Sequence, residues 1–173
     1  RNRDGEEVII AVDPGPVESA WVLYQEDRRS APYTEAIVQF AKQRNEDVLD
    51  MIRASARRLV IEKIASYGMA VGAEVFETCV WTGRFMQAFG AERVDRITRI
   101  EVKSHLCHSA KANDSNIRQA LIDRIGKPGT KKNPGPTYGI SGDCWSALAV
   151  AVTWSDSPEY WMQRTKNESE GKG

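Results

Sequence analysis

The chain has 173 residues, enough for one domain with a buried core. Lys and Arg total 24, as do Asp and Glu, so there is no overall basic excess, and any nucleic-acid face has to be local. No apolar run reaches the ~18 residues of a membrane span, no secretory leader is expected, and the three cysteines (Cys79, Cys107 and Cys144) read as reduced thiols rather than a disulfide framework.

Residues 8–12 are continuously apolar and predict a strand buried on both faces, ended by Asp-Pro-Gly-Pro at 13–16. Residues 19–25 and 33–40 predict the next two strands of an antiparallel meander. Residues 46–56 predict an amphipathic helix with Val48, Leu49, Ile52 and Ala56 on one side. A buried strand is expected over 58–64. Residues 71–89 predict the most apolar helix. Phe76, Val80 and Gly83 follow its period, while Val75, Cys79, Trp81 and Phe85 make it apolar on other sides. Such a helix is central in a core, or shared between a core and a subunit interface. Gly90 closes it. A fifth strand is expected over 94–102. Asp114 or Ser115 is expected to cap a helix that runs through Ile125 and stops at Gly126 and Pro128. After a Gly/Pro/Lys loop at 127–139, Ser141 is expected to cap a last helix that ends near Trp154. The expected domain covers 1–155, and the polar tail over 156–173 is expected to be partly disordered. The order βββαβαβαα predicts an α/β three-layer fold: a mixed five-stranded sheet with helices on both faces.

Three acidic residues stand at element ends: Asp13, Glu62 and Asp143. Each has an ordinary reading. Asp13 suits a turn, Glu62 a solvated strand end beside Lys63, and Asp143 the positive end of a helix dipole. However, Leu59, Val60 and Ile61 precede Glu62, and a carboxylate closing a buried strand wants a reason. Asp143, Ala147, Val150 and Ala151 share a helix face, which would aim Asp143 at the strand ends. Carboxylates brought together repel unless a cation neutralises them, and Mg²⁺ or Mn²⁺ is the natural partner.

The D-P-G at 13–15, the I-E-K at 61–63, the V-K at 102–103 and the D-x-x-x-A-L-A-V-A-V at 143–152 form an ordered set. Over about residues 8–154 the chain resembles the RuvC-type Holliday junction resolvases of the RNase H-like superfamily, and in strand lengths and Trp-rich patches it looks like their phage-encoded relatives. The resemblance implies an RNase H-like fold and a crossover-junction endodeoxyribonuclease. It further implies two Mg²⁺ (or Mn²⁺) ions held by Asp13, Glu62 and Asp143 in two-metal phosphodiester hydrolysis. The family's last helix usually carries a second metal-binding position three residues on. Here that position is Ser146, a poorer ligand than a carboxylate. Lys103 matches a lysine kept near the scissile phosphate, or is a solvated strand end. Tyr67, with Met69, stands where a bulky residue wedges into the junction, or Tyr67 is a capped core tyrosine. His105, Cys107 and His108 are too tightly spaced for structural zinc, and His105 better suits a phosphate contact or a proton shuttle.

Arg93, Arg96, Arg99, Lys103 and Lys111 fall in one stretch, and Lys127, Lys131 and Lys132 in the late loop. Charge runs are usually solvated surface, but these flank the expected site. We read Arg99, His105, Lys111, Lys131 and Lys132 as DNA contacts. The expected partner is branched DNA, chiefly four-way junctions. Their two-fold symmetry calls for a homodimer, with the helix at 71–89 as the interface. Two rivals remain: an RNA/DNA-hybrid nuclease that needs no dimer, and a non-catalytic junction-binding protein, which Ser146 favours. The expected location is the cytoplasm of a bacterial cell or phage-infected host, away from membranes.

Overall fold

The computed structural model describes residues 7–26, 37–54, 58–66, 68, 70–159, 162–163, 166 and 170. Five strands, β1 (Glu7–Asp13), β2 (Glu18–Glu26), β3 (Ile37–Arg44), β4 (Arg58–Lys63) and β5 (Val94–Thr98), form one sheet in the order β3-β2-β1-β4-β5. The β1–β2 and β2–β3 pairs are antiparallel; β1–β4 and β4–β5 are parallel. The helices are α1 (Asn45–Ala54), α2 (Ala73–Phe89), α3 (Arg99–Cys107), α4 (Asp114–Ile125) and α5 (Cys144–Asp156). This is the expected mixed α/β sheet with helices on both sides.

The alternation of strand side chains divides the core in two. Ile9, Ala11, Ala20, Val22, Val60 and Ile97 pack with α4 and α5. Ile10, Val12, Trp21, Leu59, Ile61 and Val94 pack with Val48, Leu49 and Ile52 of α1 and Phe85 and Phe89 of α2. Central β1 and β4 need apolar residues on both faces, hence their unbroken apolar runs. Helix α5 is buried along almost its whole length, and its alanines (Ala147, Ala149 and Ala151) let it lie close to the sheet. Gly90, at φ 100°, ends α2 in a conformation that favours glycine. Met162, beyond α5, packs on the same core.

Several boundaries differ from the sequence reading, among them the start of α5, where Asp143 and not Ser141 takes the N-cap position. The third strand reaches Arg44 rather than residue 40, because its pairing with β2 continues to Glu18; residues 33–36 lie outside the described residues. The fifth strand ends at Thr98, and 99–107 is a helix. Thr98 and Glu101 form a reciprocal capping box that starts α3, overriding the β-branched run that suggested a longer strand. Lys103 is therefore on a helix and not just past a strand end. Helix α4 is capped by Asn113, with Asn116 returning the bond, rather than by Asp114 or Ser115.

Candidate active site

Asp13 ends β1 and Glu62 lies one residue from the end of β4, so the two carboxylates sit at the carboxyl ends of neighbouring parallel strands. Both follow the alternation onto the α5 face, Asp13 after Ala11 and Glu62 after Val60. The Asp-Pro-Gly turn that carries Asp13 is tied from below. Buried Ser19 donates through Oγ to Asn45 Oδ1 at 2.6 Å, and Asn45 Nδ2 donates to the Gly15 carbonyl at 2.9 Å. The Gly15 amide donates to Ser19 Oγ at 3.2 Å. A Cβ on Gly15 would stand 2.3 Å from the Glu18 carbonyl oxygen, so the turn requires glycine. Asn45→Ala removes a partner from the buried Ser19 hydroxyl and from the half-buried Gly15 carbonyl and is expected to cost about 1–3 kcal/mol, read as a lower midpoint in urea unfolding. An unchanged midpoint would show that this tie does not hold the turn.

Acidic groups crowd the site around Asp13. Asp13 is pushed up to about 7 by burial and by Glu62 and Asp143, against the opposing pull of Arg99 and a hydrogen bond from Ser146. Burial likewise raises Glu62, although Arg99 works against it. Two cations lean in from opposite sides. The Arg99 guanidinium is 3.4 Å from Glu62 and 2.6 Å from Asp114, at the start of α4. Lys42 Nζ is 2.8 Å from Asp143 Oδ2, and Asp143 holds that ammonium above its usual range.

The donors suit a hard dication in kind: Asp13, Glu62 and Asp143 carboxylates with the Ser146 hydroxyl, all oxygen, with Asp13 repelled by both other carboxylates. Among the described residues, no three His, Cys, Asp or Glu side chains stand within reach of one ion. Ser146 touches Asp13, so it belongs to the site whatever its skill as a ligand.

The remaining candidates divide. Lys103 lies one turn beyond Arg99 on α3, close enough to stabilise the Glu62 carboxylate. His105 points elsewhere. It pairs with Asp156, which also takes both terminal nitrogens of Arg124. Burial raises Asp156, but these partners outweigh it and hold the carboxyl low. Asp156 ends the 13-residue α5 that Asp143 precedes, which puts His105 about 20 Å along that helix. Lys111, Lys131 and Lys132 are exposed in loops. Lys111 borders a shallow groove with Cys107, Asn116 and Asp123. Tyr67 and Met69 lie outside the described residues. Lys42, Asn45 and Asp114 were missed in the sequence. Lys42 was legible only through the register of β3; Asp114 was read as a cap when its neighbour fills that role.

The fold and this cluster define an RNase H-like α/β domain with a carboxylate site at one end of the sheet. The chain has the fold of Thermus thermophilus RuvC, with a TM-score of 0.62 over 88% of this chain and 96% of that one, at 16% identity. Thermus thermophilus RuvC in complex with a Holliday junction substrate gives a TM-score of 0.64 over 92% and 97% of the two chains, also at 16% identity. No protein-family model matches the sequence, and no curated protein does. Among the described residues, no helix is long and apolar enough to cross a membrane.

Proposed function

We propose that this chain is a divalent-cation-dependent endonuclease that cuts branched DNA, four-way junctions in particular, as a homodimer. The observation that carries this reading is the charge coupling of Asp13, at the end of β1, to Glu62 on β4 and to Asp143 just before α5. The likeness of the fold to a structure in complex with a Holliday junction substrate supports the substrate class. Asp13, Glu62, Asp143 and Ser146 would hold the ions. Mg²⁺ or Mn²⁺, when bound, supplies charge neutralisation on the attacking and leaving oxygens of phosphodiester hydrolysis. The chain itself contributes position. The sheet fixes two carboxylates and α5 the third, while Lys103 adds positive charge beside Glu62 for a phosphate. Arg99, Lys111, Lys131, Lys132 and, outside the described residues, Tyr67 and Met69 are proposed DNA contacts. His105, bound to Asp156 well along α5, is the weakest member of that set. The same reading places the chain in the cytoplasm of a bacterial or phage-infected cell, where its three free cysteines stay reduced.

The test uses labelled four-way junction, linear duplex and RNA/DNA hybrid, each with Mg²⁺, Mn²⁺ or EDTA. Paired cuts in the junction, dependent on the ion and lost in Glu62→Gln, are the expected result. Cutting of the hybrid alone would move the chain to the hybrid nucleases. Junction binding without cutting in either metal would make it a binding module, the reading that Ser146 favours.

A further inference from the structure

A lysine from the edge of the sheet reaches a carboxylate of the site. Lys42 on β3 is in register with Ala20 on β2, and Ala20 with Asp13 on β1. Cross-strand partners share a face, so Asp13, Ala20 and Lys42 form one row across three strands, on the side that packs α5. The middle member is an alanine, and the flexible lysine stem rises past it to Asp143 at the start of α5, 2.8 Å from Nζ to Oδ2. Both side chains are about half exposed, at 46% and 53%. An exposed pair of this kind is weak and easily exchanged. A lysine also suits exchange better than an arginine, because its charge is compact and its three donors rotate freely. Asp143 cannot give its full charge to a dication while it neutralises an ammonium, and a dication there would repel Lys42.

We propose that Lys42 is an exchangeable counter-ion, holding Asp143 until a divalent cation binds and then turning its ammonium to a DNA phosphate at the site. Metal loading and DNA contact are thereby coupled through one side chain. This inference rests on the nuclease reading for its substrate, but its test does not depend on cleavage.

The experiment compares the unmodified protein with Lys42→Met and Lys42→Arg. Mn²⁺ binding is measured without DNA, and junction affinity is measured across a salt series in EDTA and in Ca²⁺. Lys42→Met is expected to tighten Mn²⁺ by about two- to fivefold, the loss of one weak competing ion pair. The slope of log affinity against log salt should fall by about one in Ca²⁺ and stay unchanged in EDTA, where the lysine is held by Asp143. Lys42→Arg keeps the charge and should keep the slope. An equal slope change in both conditions would make Lys42 a fixed phosphate contact and overturn the exchange. An unchanged slope in Ca²⁺, or an unchanged Mn²⁺ affinity, would also overturn it. If the unmodified protein never cuts DNA but shows these differences, the nuclease reading fails and the exchange stands.

Discussion

Asp13→Asn is expected to abolish junction cleavage and, in EDTA at pH 8, to raise the melting temperature. The two effects have one cause. Burial, Glu62 and Asp143 push the Asp13 carboxyl up to about 7, well above its ordinary 3.8. In the folded chain it therefore keeps its proton where the unfolded chain has lost it. The sign follows: the contribution of Asp13 to stability is fully present below about pH 4, declines as pH rises, and is lost above about pH 7. At ~1.4 kcal/mol per pH unit, the span from 3.8 to about 7 gives at most roughly 4 kcal/mol. An amide carries no such charge. At about 2–4 °C per kcal/mol for a domain of this size, the variant should melt several degrees higher at pH 8, with the gap closing toward pH 4. Cleavage should fall on the order of a thousandfold or more, because one of the three carboxylates proposed to hold a dication is neutralised. Equal melting temperatures at pH 8 would refute the electrostatic account, and retained cleavage would refute the site.

Phe76→Lys, and separately Val80→Lys, is expected to convert a dimer into monomers that nick but no longer make paired cuts. Helix α2 docks through Thr78, Phe85 and Phe89, yet Phe76 and Val80, one turn apart on another face, are 62% and 55% exposed. Apolar side chains grouped on a solvent-facing helix mark a contact surface or an aggregation liability. A two-fold partner would cover them, and aromatic anchors at such interfaces are often worth 2 kcal/mol or more, about thirtyfold in affinity. Light scattering at micromolar concentration gives the mass, and circular dichroism verifies the fold. A monomeric unmodified protein would remove the dimer from the proposal.

Much of this arrangement was legible because apolar runs report burial directly. The unbroken run ending at Val12 and the Leu59–Ile61 run located the central strands, and with them the acidic residues at their ends. The small-residue helix after Asp143 was equally plain. The start of α3 was misread because Val102 and its β-branched neighbours extend a strand pattern, while the Thr98-x-x-Glu101 capping box was present but overlooked. The counter-ions were beyond reach for a different reason. Lys42 meets Asp143, and Arg99 meets Glu62 and Asp114, across separations set by strand register and helix docking. Spacing along one chain does not encode those.

Asn45 is both the buried brace of the Asp13 turn and the first residue of α1. Its backbone amide also bonds the Val17 carbonyl at 3.0 Å. A helix of ten residues has little stability of its own, so α1 persists by docking on the sheet. The turn and the helix thus share one cooperative opening unit: fraying the start of α1 releases the turn, and distorting the turn unseats the helix. Although it is a loop at the rim of the sheet, the segment that presents Asp13 inherits the slow local unfolding of the layer beneath it.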